Sequence, residues 1–402
     1  MTIKDGVSMA ATTRIEGLTW WRDEPSAAAP LALRAPTPAA VPTGADAWLS
    51  RRIEGPMAAG SVLLHAPSWT FQAPGGGENQ LVQTGRALEA LGRAVRPFAM
   101  WRDRLQDARA LHLFGMSREG LELARIARAR GVPVVLSPIC WFEARALGAL
   151  AVGMRSRLVD LGKHALRRVW PHAPSWRRSL LNLADAILPN SAAEARQLAR
   201  LFGADASKIT VVPNGVDPRF ASADPSSFRE AHGPGDFVLY AGRIEPRKNV
   251  LGLVRGTRWA RLPLVVVGDP VPGHEGYAEA CRRESDPSTL WLPRLDHDDP
   301  RLASAYAACR VFALPSWFET PGLAALEAGL AGRPVVVTPL GCTREYFGSM
   351  ARYARPDRPL EIGRALAEAW EAGPDPGLAG HIRGKFLWAD AARVTAGVYD
   401  RL

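Results

Sequence analysis

Cysteine is scarce in this chain, and long apolar runs are missing. The 402 residues include four cysteines, scattered without close pairs, at Cys140, Cys281, Cys309 and Cys342. That spacing argues against a disulfide framework or a zinc knot. No window approaches the roughly 18 uncharged apolar residues of a membrane-spanning helix, and residues 1–13 lack the apolar core of a signal peptide. We therefore expect a cytoplasmic protein.

An acidic excess is missing as well. The 50 lysines and arginines outnumber the 40 aspartates and glutamates and give a formal net charge of +10. A strongly basic chain is one mark of nucleic-acid binding, but no recognised nucleic-acid module accompanies the charge. We expect no nucleic-acid partner.

The composition favours two folded domains behind an extension. With 47% hydrophobic and 22% charged residues, the chain can bury substantial cores. Residues 1–56 are rich in alanine and proline and predict a partly flexible N-terminal extension. Strand-like runs alternate with helical stretches, which favours one α/β parallel-sheet domain over 57–220 and a second over 221–385. The predicted strands lie at 61–65, 96–100, 109–114, 132–138, 185–189 and 209–213, and then at 237–243, 262–268, 289–292, 309–314 and 334–338.

The clearest motif is a strand that runs directly into a helix. Residues 311–332 read VFALPSWFETPGLAALEAGLAG. Thr320 is a natural N-cap, Pro321 suits the first helical position, and Gly332 suits the C-terminal end. The segment therefore predicts a helix that begins after Thr320.

Two carboxylates flank this predicted helix start. Glu319 can accept hydrogen bonds from hydroxyls just outside the cap, and Glu327 would lie roughly 10 Å further along the axis. The first free amides of the helix form a cradle for an anion, and Gly322 lets a ligand approach the backbone closely. A nucleotide-sugar, with hydroxyls at both ends and phosphates in the middle, fits this layout.

A cationic loop precedes that motif in the chain. Residues 237–250 read FVLYAGRIEPRKNV, an apolar strand that leads into positive charge. Such a loop lies at the carboxyl edge of a parallel sheet, where open α/β sheets bind ligands. Arg243 and Lys248 would compensate a diphosphate and stabilise it as a leaving group.

These segments resemble the retaining glycosyltransferases of family 4, which have the GT-B fold. The run from Glu319 to Glu327 is similar to the family's Glu-x7-Glu motif, and residues 242–249 match its G-R-x-x-x-x-K-N pattern. The segment VVPNGVDPRF at 211–220 is similar to the one that closes the N-terminal domain, where the turn at Asn214 lines the cleft.

A glycine-rich loop adds to the resemblance. Residues 65–80 follow the first predicted strand and contain three consecutive glycines, Gly75 to Gly77. Glycines ahead of a helix can bring backbone amides next to an anion. The segment is similar to the family loop that faces the donor phosphate and the acceptor.

The resemblance implies an α/β protein of two Rossmann-like domains facing each other across a cleft, with a helix at 386–402 that packs back on the N-terminal domain. It implies a retaining, metal-independent hexosyltransferase that moves a sugar from a nucleotide-diphosphate sugar to a hydroxyl of a glycan or lipid-linked acceptor, in bacterial polysaccharide or lipopolysaccharide assembly. Glu319, Arg243 and Lys248 would be its catalytic residues. The donor-binding residues would be Gly242, Thr320, Pro321, Gly322, Leu323, Glu327, Asn214, Gly76 and Gly77.

One departure from the family keeps other functions open. Many members carry a histidine at the end of the fourth strand, where this chain has Ser137, Pro138 and Cys140. His112, on the preceding strand, is interpreted as a core residue hydrogen-bonded to backbone. A non-catalytic glycan-binding or scaffold protein on the same fold, or a nucleotide-sugar epimerase, therefore remains an alternative.

An acidic run at 296–299 invites comparison with a metal-binding D-x-D motif. It is followed by Pro300 and a helical pattern, so we interpret the acids as residues of a helix N-terminus that favour its dipole. We expect no metal and no other cofactor, since Arg243, Lys248 and helix amides can neutralise the diphosphate.

A basic amphipathic stretch spans residues 145–178. Eight cations alternate with apolar residues and tryptophans there, a pattern that an anionic membrane surface attracts. The cations are Arg145, Arg155, Arg157, Lys163, Arg167, Arg168, Arg177 and Arg178. The stretch predicts peripheral contact with the inner face of the cytoplasmic membrane, while a solvated helical face remains the alternative.

Overall fold

The structure is a computed structural model of the chain. It describes residues 48–50, 53–72, 75–150, 154–233 and 235–402. Most of the predicted extension at 1–56 therefore lies outside the described residues.

The first domain is built on a five-stranded parallel sheet. Its strands lie in the order β2-β1-β3-β4-β5 and are buried along their whole length, as expected for a sheet covered on both faces. They are Val62–His65 (β1), Val95–Pro97 (β2), Ala110–Phe114 (β3), Val134–Ser137 (β4) and Ala186–Ile187 (β5). The prediction of a strand at 209–213 is wrong, because that segment makes only an isolated β-bridge between Ile209 and Ile187.

The second domain is built on a six-stranded parallel sheet in the order β11-β10-β9-β6-β7-β8. Its strands are Val238–Ala241 (β6), Leu264–Val267 (β7), Leu290–Leu292 (β8), Val311–Leu314 (β9), Val335–Val337 (β10) and Arg352–Tyr353 (β11). The two-residue edge strand β11 escaped prediction because it is short and is not fully buried. The predicted α/β architecture of two Rossmann-like domains is confirmed.

Helices cover both sheets. Those that follow the first-domain strands are Gly76–Ala90 (α1), Arg118–Ala129 (α2), Ala144–Leu150 (α3), Met154–Val169 (α4), Trp176–Leu183 (α5) and Ala192–Phe202 (α6). The later ones are Ser226–His232 (α7), Val250–Ala260 (α8), Glu275–Glu284 (α9), Pro300–Ala308 (α10), Leu323–Leu330 (α11), Thr343–Phe347 (α12), Pro359–Ala372 (α13), Pro376–Lys385 (α14) and Trp388–Tyr399 (α15).

Helix α6 shows how local sequence sets these boundaries. The Ser191 hydroxyl accepts a hydrogen bond from the Glu194 N–H at its start, and Gly203 ends it at φ 60°. Helix α15, the last in the chain, joins α1 on one face of the first sheet, where Trp388 and Tyr399 are part of the core. The chain thus returns to the first domain after completing the second.

The two sheets meet at their carboxyl edges, and α12 joins them at one end. The Glu345 carboxylate accepts hydrogen bonds from Ala192 N–H at 2.8 Å and Ala193 N–H at 2.6 Å, at the start of α6. The Tyr346 hydroxyl donates to the Asn190 carbonyl at 2.6 Å and accepts from the Asn214 N–H at 2.9 Å. These contacts fix how the two edges face each other.

Candidate active site

A buried ion pair lies at the carboxyl edge of the second sheet. The Nζ of Lys248 is 2.6 Å from Oε1 of Glu319. Lys248 is the last residue of a short 3-10 turn after β6. The next residue, Asn249, caps that turn with φ 55°. The Asn249 amide donates to the Pro315 and Pro356 carbonyls at 3.0 and 2.9 Å. The turn is therefore held rigidly against the loop that carries Glu319.

Two further charges complete this cluster. Arg247 is 2.9 Å from Oε1 of Glu245, and its guanidinium stacks on Phe318. Burial opposes the charge on Glu319, but Lys248 and Arg247 outweigh it and hold the pKa of Glu319 below its usual value. Burial lowers the pKa of Lys248, and Glu319 offsets only part of that effect. The sequence analysis did not assign Arg247 or Glu245, because either could be a solvated residue of a basic turn.

The glycine loop of the first domain faces this cluster across the gap. A Cβ on Gly75 would lie 3.1 Å from Cζ of Arg243, and a Cβ on Gly76 would lie 3.9 Å from Cδ1 of Leu323. Gly242 directly follows β6, and its N–H donates to the Val267 carbonyl at 3.0 Å. The structure thus brings together the cation loop, the start of α11 and the glycine loop, as the sequence predicts.

The predicted helix start is wrong by two residues. Helix α11 begins at Leu323, and its N-cap is Gly322 at φ 91° instead of Thr320, so Pro321 is not helical. Glu319 is the cause, because its N–H donates to the Leu340 carbonyl and its carbonyl accepts from the Cys342 N–H. These bonds hold the chain extended before the helix.

The later start moves Glu327 closer to the cap. It lies five residues past Gly322, or about 7.5 Å along the axis, which shortens the roughly 10 Å expected from the sequence. The predicted end at Gly332 is confirmed. The Arg333 N–H bonds to the Ala328 carbonyl and the Gly332 N–H to the Gly329 carbonyl, in the Schellman pattern.

Glu327 is buried and has two partners that the sequence analysis missed. Its Oε1 is 3.2 Å from Nε2 of His297, and its Oε2 accepts from the Tyr306 hydroxyl at 2.8 Å. Burial opposes the charge on His297, but hydrogen bonds to Asp298 and Glu327 raise its pKa to about 9. The partners lie 30 and 21 residues from Glu327, so no local pattern reveals them.

The acidic run at 296–299 divides between two roles. Asp299 is the N-cap of α10 and accepts from the Arg301 N–H, which confirms the helix-start interpretation for that residue. Asp298 instead binds Arg86 of α1 at 3.0 Å and Arg219 at 3.3 Å. A contact between the domains therefore closes the cleft beside His297 and Glu327.

Asn214 and His112, two residues discussed from the sequence, both make side-chain hydrogen bonds inside the protein. Asn214 is buried, and its amide donates to Oε1 of Gln80 at 3.0 Å instead of pointing freely into the cleft. His112 is a core residue as predicted, but its partners are side chains, the Tyr399 hydroxyl at 2.6 Å and the Ser137 hydroxyl at 2.9 Å. Burial lowers its pKa to about 3, so it is neutral.

Metal sites and membrane spans were sought in the described part of the chain. No group of three or more His, Cys, Asp and Glu side chains is placed there to hold a metal ion. None of the helices in these described ranges combines the length and the apolar character that crossing a bilayer requires.

Two parallel α/β domains with facing carboxyl edges, a cationic loop and a glycine loop define a two-domain α/β protein of the kind that binds anionic ligands between its domains. The family comparisons agree with this division. The model described as Glycosyltransferase Family 4 matches residues 74–220, and the model described as Glycosyl transferases group 1 matches residues 235–371. The chain belongs to these glycosyltransferases of the GT-B fold.

Curated relatives are similar over part of their length. A D-inositol 3-phosphate glycosyltransferase from Stackebrandtia nassauensis is 38% identical over 39% of this chain and 39% of its own. D-inositol 3-phosphate glycosyltransferase 2 from Catenulispora acidiphila is 31% identical over 55% of this chain and 57% of its own. The similar region thus spans between about two fifths and three fifths of the length of these relatives.

Solved structures show the fold over most of the chain. Anabaena HepE in complex with UDP has a TM-score of 0.63 at 18% identity, covering 85% of this chain and 100% of that one. Sucrose-phosphate synthase from Thermosynechococcus elongatus has a TM-score of 0.66 at 18% identity, covering 85% and 98%.

Proposed function

We propose that this protein transfers a sugar from a nucleotide-diphosphate sugar to an acceptor hydroxyl, with retention of configuration and without a metal ion. The observation that carries the proposal is the Lys248–Glu319 pair beside Arg243, facing the loop at Gly75 and Gly76. Cations, a carboxylate and glycine amides are what a diphosphate next to a sugar requires.

Each charged residue has a role in this proposal. Lys248 and Arg243 bind the diphosphate and stabilise it as it leaves, while that diphosphate takes the proton from the incoming hydroxyl. Glu319 exchanges Lys248 for hydroxyls of the donor sugar. Glu327 accepts the ribose hydroxyls and stays oriented by Tyr306 and His297. Structures with this fold contain UDP and UDP-glucose, which makes uridine nucleotides the first donors to test.

Donor hydrolysis by Glu319→Gln tests the assignment. We expect UDP to raise the melting temperature of the full chain, and turnover of UDP-glucose to fall about a hundredfold or more in the variant. Glu284→Gln, in an exposed pair with Arg255, is the matched control and should keep wild-type turnover. We expect turnover to persist in EDTA and the product to keep the donor's anomeric configuration. Full turnover in Glu319→Gln would contradict the proposal.

The acceptor is a glycan or a lipid-linked sugar in our proposal, in the assembly of cell-surface polysaccharide or lipopolysaccharide. The names of the curated relatives support a second candidate, a small phosphorylated polyol. Transfer from a radiolabelled donor to each class of acceptor, with chromatography of the products, separates the two.

The surface of helix α4 supports our proposal that the protein contacts the anionic inner face of the cytoplasmic membrane. It packs on α3 and α6, and no residue of the helix is fully buried. Its half-buried residues are mostly polar, namely Ser156, Asp160, Leu161, His164 and Arg167. Its apolar residues face solvent instead: Met154 is 69% exposed, Leu158 64%, Leu166 56% and Val169 86%. Exposed Arg155, Lys163 and Arg168 supply positive charge around that apolar face.

Sedimentation with vesicles tests this contact. We expect wild-type protein to sediment with vesicles containing phosphatidylglycerol, and Leu158→Glu/Leu166→Glu to stay in the supernatant. Val394→Glu, at an exposed apolar position on α15, is the control and should sediment like the wild type. Wild-type protein that ignores anionic vesicles would refute the membrane role.

A further inference from the structure

Arg177, in the first turn of α5, is a buried cation without an anion. Arg177 as a whole residue is 9% exposed to solvent. The guanidinium lies 4.3 Å from the ring centre of Trp176 and 5.5 Å from that of Phe142. Within the described part of the chain, it makes no hydrogen bond and has no carboxylate within ion-pair distance. The sequence analysis placed Arg177 on a membrane-facing surface, and its burial shows that this is wrong.

The surroundings of Arg177 oppose its charge. The first turn of α5 contains no acidic residue, and the helix dipole disfavours a cation at that end. Burial raises the pKa of the nearby Cys140 thiol to about 12, so Cys140 is neutral and supplies no anion. Burial also lowers the pKa of Arg177 to about 10. The two aromatic rings favour the cation but supply no negative charge, so Arg177 marks a position where a ligand can supply the counter-charge.

Other donors converge on the same loop. The Arg167 guanidinium lies 5.4 Å from the centre of the Phe142 ring that Arg177 also faces. Arg118, at the start of α2, adds a positive charge that lowers the pKa of Arg177. The buried Nε1 of Trp141 has no hydrogen-bond partner in the described chain.

This cluster lies on the first-domain side of the cleft. Residues 140–142 follow β4, so they are at the carboxyl edge of the first sheet. Trp141 packs against the hydrophobic core of the second domain, which places the loop at the gap between the domains. Next to it, a groove of about 600 Å³ between α2 and α5 is lined by Arg118 and Trp176, together with Glu119, Glu122 and Arg125.

We propose that Arg177, with Arg167 and Arg118, forms a phosphate-binding subsite that holds an anionic group of the acceptor. The geometry matches this chemistry, because guanidinium groups bind phosphate through paired N–H donors. The inference rests on the proposed function, since that function makes the first-domain edge the acceptor side. The phosphate belongs either to a lipid headgroup or to a soluble phosphorylated acceptor.

Thermal shift on the full chain tests the subsite, with inorganic phosphate as the probe. Saturating UDP occupies the donor site, and sodium chloride keeps the ionic strength constant. Phosphate stabilises many proteins by exclusion from their surface, so the comparison between variants decides. We expect Arg177→Met to bind phosphate about tenfold more weakly than the wild type, and Arg177→Lys to fall between them. Arg130→Met, at the far end of α2, removes the same charge and should match the wild type.

The outcomes separate this inference from the proposed function. A wild-type protein that responds to UDP, but responds to phosphate no more than Arg177→Met, overturns the subsite alone. Absence of any response to UDP counts against the proposed function. If Arg177→Met melts without cooperativity, the Arg177→Lys titration decides, and binding equal to wild type overturns the inference.

A second arm identifies the source of the phosphate. Glycerol 3-phosphate in solution is compared with vesicles that carry phosphatidic acid, for wild type and Arg177→Met. Arg177-dependent binding of either probe supports the subsite, and the stronger one names the source. Binding of both probes that does not depend on Arg177 overturns it.

Discussion

The two edges of the cleft balance their positive charge in different ways. On the second-domain edge, Lys248 pairs with Glu319. Arg247 and Arg243 share Glu245 at 2.9 and 3.3 Å. On the first-domain edge, Arg177 faces two aromatic rings and, among the residues that the structure describes, no carboxylate.

The difference teaches how each edge meets a ligand. A cation that already has a carboxylate partner must exchange it when a diphosphate arrives, so the donor edge keeps its shape without a ligand. A cation that has only rings around it can accept an anion without losing a partner. Under the proposed function, the donor edge is therefore organised in advance, and the acceptor edge carries charge that an acceptor can neutralise.

The largest effect should come from breaking the pair on the donor edge. Lys248→Met leaves Glu319 buried without its ion-pair partner, so the free energy of unfolding should fall by about 3–5 kcal/mol. Urea unfolding of wild type and variant measures it. A loss below about 1 kcal/mol would show that the pair does not hold this edge together.

A double variant separates stability from catalysis on the same edge. Lys248→Met/Glu319→Gln removes both charges, so most of the lost stability should return, while turnover of UDP-glucose should stay about a hundredfold or more below wild type. Urea unfolding and donor hydrolysis on one preparation supply both values. Recovery of turnover would remove Lys248 and Glu319 from the catalytic set.

The pH dependence of His297 tests the nucleoside end of the donor edge. Because hydrogen bonds to Asp298 and Glu327 raise its pKa from 6.5 to about 9 against the effect of burial, its stabilising charge is fully present below pH 6.5 and is lost as pH rises to 9. Wild type should therefore lose stability between pH 7 and 9, and His297→Gln should lose less. Urea unfolding across that range measures the slopes. The exposed His232→Gln is the control, and equal slopes in His297→Gln and wild type would contradict the assignment.

On the first-domain edge, removing the charge of Arg177 should change the stability of the protein only slightly. Arg177→Met removes two cation–π contacts but leaves no carboxylate unmatched, so the free energy of unfolding should change by about 1 kcal/mol or less in phosphate-free buffer. Urea unfolding beside Lys248→Met makes the comparison direct. A loss as large as that of Lys248→Met would mean that Arg177 has an essential structural partner.

The smallest effect should come from an exposed pair. Arg125 and Glu122 on α2 are 54% and 62% exposed at 2.7 Å. Arg125→Met should change the free energy of unfolding by about 0.5 kcal/mol or less, because water screens such pairs. Urea unfolding of Arg125→Met sets the background for the other variants, and a change above about 1 kcal/mol would show that surface charge alone can produce their effects.

Local signals explain what the sequence predicts well. Apolar runs such as Val311–Leu314 are buried strands, and Gly332 ends α11 because a left-handed glycine there completes the Schellman bonds. The cation loop and Glu319 come together because both follow neighbouring strands of one parallel sheet. Strand order and carboxyl edges are thus enough to bring together the residues that we propose for the donor edge.

Contacts distant in sequence explain the rest. Thr320 fails as a cap because bonds from Glu319 to Leu340 and Cys342 hold the chain extended. Glu327 acquires His297 as a partner across 30 residues. Arg177 looks like the other basic residues of its stretch in the sequence but is buried, with its guanidinium against the rings of Trp176 and Phe142.

The contact of Tyr346 with the first domain has a consequence for how the cleft opens. Its buried hydroxyl bonds to the Asn190 carbonyl and the Asn214 N–H, and separating the domains there would leave these buried groups without partners. Asp298 and Arg86 follow β8 and β1, far along both sheets from α12, and water can replace their partly exposed ion pair. Separating the domains should therefore cost least free energy at the Asp298 rim and most at α12.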